Sequence, residues 1–114
     1  MNKTATETAC LTQQILEKVG NHTCDVVICP PFTSLSMACS LTANSKIKVG
    51  AQNVSFAQSG AYTGEISADM LCDLGVSHVI IGHSERRQYF GETNETVNRR
   101  LLAAVNAGLS VILC

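Results

Sequence analysis

The chain has 114 residues, enough for one ordinary domain, with 46% apolar residues, 15% charged residues and a net charge of −1. This composition argues against a disordered chain, and the near-neutral charge without a basic stripe argues against nucleic acid and anionic membrane as partners. No apolar run approaches the ~20 residues that span a bilayer. The opening Met-Asn-Lys-Thr is not a secretory signal, so we expect a cytoplasmic protein whose six cysteines are buried thiols without disulfides.

Helices and strands are predicted to alternate from the beginning of the chain. A 3.6-residue apolar period predicts a helix over residues 4–19, ended by Gly20. The apolar run Asp25–Cys29 predicts a buried strand, and residues 33–43 predict a second helix. Residues 46–51 then predict a second strand.

A long loop interrupts the alternation after the second predicted strand. Residues 52–64 are polar and contain glycines, with Phe56 and Tyr62 among small residues. Loops of this length are usually functional or disordered, and this composition favours a protein interface over a disordered linker. Ser67 is the predicted N-cap of a third helix, and Val76–Ile81 predicts the third strand.

The rest of the chain continues the pattern. A polar connection over 88–92 leads to a fourth helix capped by Thr93 or Asn94, and Leu109–Cys114 begins a fourth strand. Strict alternation predicts parallel strands joined by crossover helices. The residues predicted to face the core are Leu11, Ile15, Leu16 and Val19 in the first helix, Met70, Leu71 and Leu74 in the third, and Val97, Leu101 and Val105 in the fourth. Because the chain begins on a helix and ends inside a strand, we expect an incomplete domain.

Groups capable of acid–base chemistry follow the third strand directly after Gly82. Ligand sites in α/β proteins gather at the carboxyl ends of strands. His83 is either a satisfied core histidine or a catalytic acid or electrophile. A helical turn beginning at Ser84 would present free N–H groups and a partial positive charge, and an imidazole bonded there would donate a proton in its neutral form. We therefore favour the functional interpretation.

Other chemistries fit these residues less well. Gly82-His83-Ser84 resembles the start of a nucleophile elbow, but Arg86 occupies the position where the sharp turn needs glycine. His83 and Glu85 lie two residues apart without supporting cysteines, which makes a metal site weak. The glycine spacing matches no nucleotide-binding loop. Arg86 and Arg87 either bind phosphate or form ion pairs with neighbouring elements.

Five motifs in the chain resemble the triosephosphate isomerase family, of bacterial type, in their order and spacing. They are Cys29-Pro30-Pro31, Gly50-Ala51-Gln52-Asn53, Gly60-Ala61-Tyr62-Thr63-Gly64-Glu65-Ile66-Ser67, Gly82-His83-Ser84-Glu85-Arg86-Arg87 and Phe90-Gly91-Glu92-Thr93. The resemblance extends over nearly the whole chain.

The resemblance implies a partial (β/α)8 barrel with parallel strands, running from helix 1 through strand 5 of the family. Residues 1–114 would then form a single incomplete domain that lacks strand 1 and strands 6–8 with their helices. It also implies interconversion of dihydroxyacetone phosphate and D-glyceraldehyde 3-phosphate through an enediolate, in glycolysis and gluconeogenesis, with no cofactor and no metal. His83 matches the electrophile, for which this family is the established example of a neutral catalytic histidine. Glu85 matches a carboxylate near the catalytic lysine.

The resemblance further implies a homodimer through the loop over residues 52–65. Thr63 matches a residue that reaches into the other subunit's site, and Glu65 and Arg86 match a pair that joins across the interface. The remaining interface residues implied by the resemblance are Gln52, Asn53 and Gly64.

The other catalytic groups of the family would lie outside this chain. The resemblance places the catalytic lysine before Met1, and the glutamate base, the closing loop and the phosphate grip after Cys114. We therefore expect the chain alone to be inactive as an isomerase. One alternative is a non-catalytic truncated barrel fragment that only associates with intact subunits, and another is an unrelated flavodoxin-like binding module.

Overall fold

The computed structural model describes residues 1–19 and 23–114 as an α/β structure built on one sheet of four parallel strands. The strands are β1 (Val27–Ile28), β2 (Lys48–Ala51), β3 (His78–Ile81) and β4 (Ser110–Leu113). The helices are α1 (Ala5–Val19), α2 (Leu35–Thr42), α3 (Ala68–Asp73), α4 (Ser84–Phe90) and α5 (Asn94–Asn106), with a 3₁₀ turn at Phe32–Ser34 before α2. The predicted alternation is confirmed, and α4 is an additional short helix.

Strands that are consecutive in the chain are neighbours in the sheet. The order is β1-β2-β3-β4 and every pair is parallel; Gly50 pairs with His78, and Ile81 pairs with Leu113. A flavodoxin-like sheet would place its first strand between its second and third. Since the order is instead sequential, as in a (β/α)8 barrel, the flavodoxin-like alternative is excluded.

The hydrophobic core covers one face of the sheet. Along β3, Val79 and Ile81 are completely buried, whereas His78 and Ile80 point to the opposite face and are half-buried. Each full burial of such an apolar side chain contributes roughly 1.5–3 kcal/mol. The other buried core residues are Leu35, Ala38, Val49, Ala51, Val54, Ala68, Leu71, Val76, Val97, Ala104 and Leu109. The less covered face of β3 is the one next to His83.

The predicted core face of α5 is only partly correct. Val97 is buried and Leu101 is half-buried, but Val105 is 53% exposed and Ala104 is completely buried instead. A four-residue repeat drifts by about 40° at each step around a helix with 3.6 residues per turn. Ala104, seven residues after Val97, returns to within about 20° of the same direction and therefore faces the core.

The predicted faces of α1 and α3 also need correction. Leu71 is buried as predicted, whereas Met70 is 56% exposed and Leu74 is 38% exposed. In α1 the buried residues are Thr8 and Thr12, and the predicted apolar residues are exposed or half-buried. The physical reason is the position of α1, which packs mainly against α2 and the 3₁₀ turn and not against the sheet.

Most predicted element ends are confirmed, with one clear error. The Ser67 hydroxyl accepts a hydrogen bond from Met70 N at 3.3 Å, and Thr93 caps α5, as predicted. The predicted polar connection over 88–92 is wrong, because α4 continues to Phe90 and ends at Gly91, whose φ is +65°. Of the strand predicted over 25–29, only the residues of β1 pair with a neighbouring strand. The predicted helix stop at Gly20 lies outside the described residues.

The cysteine prediction is confirmed for bonding but not for burial. Cys10, Cys29, Cys39, Cys72 and Cys114 are thiols without a disulfide. Cys29 and Cys39 are half-buried, and burial raises the pKa of both thiols above the usual 9.0. Cys10 and Cys72 are exposed because they lie on the outer surfaces of α1 and α3, and Cys24 and Cys114 are also exposed.

Candidate active site

His83 stands at the carboxyl end of β3, one residue after the strand, and is the N-cap of α4. Its ring atom Nδ1 accepts a hydrogen bond from Glu85 N at 3.2 Å. An acceptor nitrogen carries no proton, so this contact assigns the ring proton to Nε2. The histidine thus presents an N–H donor on the side away from α4.

The carboxylate of Glu85 lies close to the same ring. Its Oε2 is 3.7 Å from His83 Nδ1, beyond hydrogen-bond distance, whereas the backbone contact at 3.2 Å is within it. The side chains of His83 and Glu85 are 43% and 68% exposed, so water screens this pair. The backbone hydrogen bond, not the carboxylate, therefore defines the direction of the ring.

His83 opens onto a groove of about 300 Å³. Gln52 and Asn53, directly after β2, line the groove together with Ile80 from the less covered face of β3. Gln52 Nε2 donates to Cys29 O at 2.8 Å, and the buried Asn53 Oδ1 has no hydrogen-bond partner. The carboxyl ends of two adjacent strands therefore bring amide groups and an imidazole to one concave surface.

A chain of charged side chains connects α4 to the long loop through α5. Arg86 Nε donates to Glu92 Oε1 at 2.5 Å, and Arg100 Nε lies 3.5 Å from the same oxygen. Arg100 Nη1 lies 3.4 Å from Glu65 Oε2 and donates to the carbonyl oxygen of Val54. Only 4% of the Glu92 side chain is exposed, and the two arginines are its charged neighbours in this buried position.

The long loop has a defined internal structure. The rings of Phe56 and Tyr62 meet edge to face with centroids 5.6 Å apart, and the Arg99 guanidinium lies 3.7 Å above the Phe56 ring centroid. Ser55 N donates to Ile66 O at 2.8 Å and closes the base of the loop. These contacts present residues 59–65 as an exposed tip.

Two further observations concern the part of the chain that the structure describes. No group of three or more His, Cys, Asp and Glu side chains that could hold a metal ion occurs there. None of its helices combines the length and the apolar character needed to cross a bilayer. The other described histidine, His78, forms a hydrogen bond with Ser77 Oγ at 2.8 Å.

Comparison with known proteins identifies the family. The family model of triosephosphate isomerase matches residues 1–114. The chain belongs to the triosephosphate isomerase family. Curated triosephosphate isomerases of Solibacter usitatus and Clostridium botulinum (strain Loch Maree) are 53% and 52% identical to it, over 100% of the chain and 46% of their own length. The chain therefore spans about half the length of the curated relatives it matches.

A solved structure extends the likeness to the fold. The crystal structure of triosephosphate isomerase from Bartonella henselae superposes with a TM-score of 0.90 and 38% sequence identity, covering 100% of this chain and 47% of that one. With four sequential parallel strands, the chain is a partial (β/α)8 barrel, as predicted.

The residues predicted for the dimer interface of the triosephosphate isomerase family fall into two groups. Thr63, Gly64 and Glu65 lie on the exposed tip of the loop. Gln52 and Asn53 instead lie beside His83, bonded to Cys29 or buried, and Arg86 pairs with Glu92 of its own chain. An interface role for all six residues stays a prediction.

The structure adds residues to which the sequence assigned no role. Of the two arginines after the third strand, Arg86 forms an ion pair with Glu92, which is one of the two alternatives stated above, while Arg87 binds carbonyl and amide oxygens. Glu92 and Arg100 emerge as the centre of the charged chain. The motif around Glu92 was visible in the sequence, but its partner lies eight residues further on, and only the fold brings the two side chains together.

Proposed function

We propose that a barrel of the relatives' length carrying this chain interconverts dihydroxyacetone phosphate and D-glyceraldehyde 3-phosphate, with His83 as the electrophile. The reaction would run through an enediolate without a cofactor, in the cytoplasm, as a step of glycolysis and gluconeogenesis. The observation that carries the proposal is the hydrogen bond from Glu85 N to His83 Nδ1 at 3.2 Å. Family membership over the full 114 residues supports the substrate and the reaction.

The geometry of His83 suits the polarisation of a carbonyl group. The Nε2–H of the neutral imidazole can donate to the substrate carbonyl oxygen and continue to donate as that oxygen becomes an enediolate oxygen. A donor held before the reaction stabilises the developing charge without reorganisation, and this kind of preorganisation is often the largest contribution to catalysis. The proton on carbon must be removed by a base, which the family resemblance assigns to a glutamate beyond Cys114.

We further propose that the protein works as a homodimer assembled through the loop of residues 52–65. The exposed tip carrying Thr63 and Gly64 supports this arrangement, because the contacts of Phe56 fix the loop while the tip itself stays uncovered. Glu65 remains 38% exposed beside Arg100, so it is available for a second arginine across an interface. Arg86 is the arginine that the resemblance nominates.

The test is the activity of His83→Ala in the whole protein. Loss of the electrophile is expected to lower kcat for glyceraldehyde 3-phosphate by roughly 10²–10⁴-fold, the usual contribution of a positioned acid–base group. Gln88→Ala is the matched control, since Gln88 is exposed on the same helix and outside the groove. A His83→Ala enzyme that is folded and retains the kcat of this control would contradict the assignment.

The 114-residue chain by itself is expected to show no isomerase activity. It spans 46% of its relatives, and the lysine, the base and the phosphate grip of the family match none of its residues. The exposed loop tip favours the alternative role, association with intact subunits. Purified chain that turns over glyceraldehyde 3-phosphate faster than its own His83→Ala variant would contradict inactivity, and failure to co-elute with intact subunits would exclude association.

A further inference from the structure

Arg87 joins three separate elements near His83. Its Nε donates to Gly82 O at 2.9 Å, at the carboxyl end of β3. Its Nη2 donates to Cys114 O at 3.1 Å, at the end of β4, and its Nη1 donates to Asn94 Oδ1 at 2.9 Å, at the beginning of α5. One half-buried guanidinium therefore uses each of its three nitrogens on a different element.

Arg87 binds the backbone on both sides of His83. Arg87 N donates to His83 O at 3.1 Å, while its side chain binds the carbonyl of Gly82, which is the peptide oxygen immediately before His83. The two peptide groups that flank the His83 Cα atom are thus both anchored to Arg87. Because these peptides set φ and ψ of His83, they also set where its side chain can point.

The space around Gly82 leaves little room for adjustment. Its φ is +74°, a conformation that favours glycine. A Cβ atom there would lie 3.0 Å from Cys114 O and 3.1 Å from Arg87 Nη2. The guanidinium therefore packs directly against the turn at Gly82 that precedes His83. Replacing the guanidinium with a group of another shape would move that turn.

We propose that Arg87 is a positioning residue for His83, fixing the direction of the Nε2–H donor. This inference rests on the proposed function, in which His83 is the catalytic residue. A lysine cannot replace the arginine, because its single ammonium group lacks the planar fork that reaches three acceptors in fixed directions. Arg86 N also donates to His83 O, at 2.9 Å, but the Arg86 guanidinium pairs with Glu92 and binds neither peptide that flanks His83.

The kinetic test compares Arg87→Lys with Gln88→Ala in the whole protein. A displacement of about 1 Å at a reacting group costs roughly 10²-fold in rate, so kcat of Arg87→Lys is expected to fall by that order. KM is expected to change by less than about threefold, because Arg87 lines no part of the groove. A folded Arg87→Lys enzyme with the kcat of Gln88→Ala, per folded active site, would overturn the proposal.

A spectroscopic readout separates this proposal from the proposed function. ¹⁵N NMR of labelled histidine reports the tautomer of His83 without any substrate, with His83→Gln used to assign the signal. The wild type is expected to show a single Nε2–H tautomer, and Arg87→Lys a mixture of tautomers. An inactive wild type with this difference would refute the isomerase but not the positioning role, whereas identical spectra would overturn the positioning role.

A second variant covers the case in which Arg87→Lys does not fold. Asn94→Ala removes one anchor of the guanidinium at an exposed position and leaves Arg87 itself in place. It is expected to lower kcat in the same direction by several-fold, with KM unchanged. A kcat equal to that of Gln88→Ala would then overturn the proposal.

Discussion

The strands β3 and β1 are held in very different ways. β3 pairs along its whole length with β4 and also with β2, and the residues after it are tied down by Arg87 and by the first turn of α4. β1 pairs with β2 through two residues only, and the chain before it belongs to a helix that buries threonines. The histidine stands at the strand with neighbours on both sides.

The contrast between the two strands indicates where in a fold a catalytic donor can be held. A donor contributes to catalysis only when its direction is fixed before the substrate arrives. A strand that pairs with a neighbour on both sides, as β3 does, provides a rigid base for such a donor. The region around β1 instead provides the wall of the groove through Gln52, whose amide binds Cys29 O.

The largest expected effect is the difference in unfolding free energy between cavity-forming substitutions in β3 and in β1. Ile81→Ala in β3 removes a completely buried side chain and is expected to cost about 2–5 kcal/mol of unfolding free energy. Ile28→Ala in β1 is expected to cost about 1 kcal/mol, because Ile28 is only half-buried. Urea denaturation of the two variants of the 114-residue chain measures both values. Equal losses would show that β1 and β3 are equally well packed.

Neutralising the buried carboxylate should have the next largest effect. Glu92→Gln keeps the shape of the side chain but leaves Arg86 and Arg100 without their shared charge, at an expected cost of about 1.5–3 kcal/mol. The control is Glu95→Gln in the exposed first turn of α5, where a change of less than about 0.5 kcal/mol is expected. If both variants unfold at the same urea concentration, the charged chain does not stabilise the α4–α5 side.

The smallest expected effect is a difference in pH dependence between two helix ends. Glu7 caps α1 by accepting a hydrogen bond from Thr4 N at 2.8 Å, and this bond holds the pKa of the carboxyl below 4.5. A lowered pKa means that the stabilisation is present above the unfolded value and is lost as the pH falls through the folded one. At the start of α5 the hydroxyl of Thr96 accepts the equivalent hydrogen bond from Thr93 N, and a hydroxyl has no such titration.

Hydrogen exchange of the first-turn amides should detect this difference. After correction for intrinsic exchange, protection of the amides at the start of α1 is expected to fall as the pH drops below about 5, roughly where free carboxyl groups begin to titrate. Protection at the start of α5 should stay constant, and Glu7→Gln should remove the pH dependence of α1. If protection falls equally at the start of both helices, the whole domain is acid-sensitive and the Glu7 cap is not the cause.

Much of the fold follows from local patterns. Apolar runs, Ser67, Thr93 and the glycines at helix ends predict the elements, because caps and turns act within a few residues. The faces of the helices were less predictable, since burial depends on which element packs against each helix. The four-residue repeat of α5 and the threonine face of α1 illustrate this dependence.

The candidate site was predictable for one residue and not for its supports. His83 is recognisable because it follows a strand and precedes a helix start. Arg87 binds Cys114 O, 27 residues away, and Arg100 binds Val54 O, 46 residues away. Such contacts join groups that have no shared local pattern, so only the sheet order brings them together.

The short helix α4 separates two tasks that most crossover connections combine. In an ordinary βα unit, the helix that follows a strand both returns the chain and borders the ligand site. Here α5 makes the return and packs on β3 and β4, whereas α4 follows His83 directly and carries Arg87, whose guanidinium binds Gly82 O. Mutations can therefore accumulate on the outer surface of α5 without reorienting the imidazole of His83.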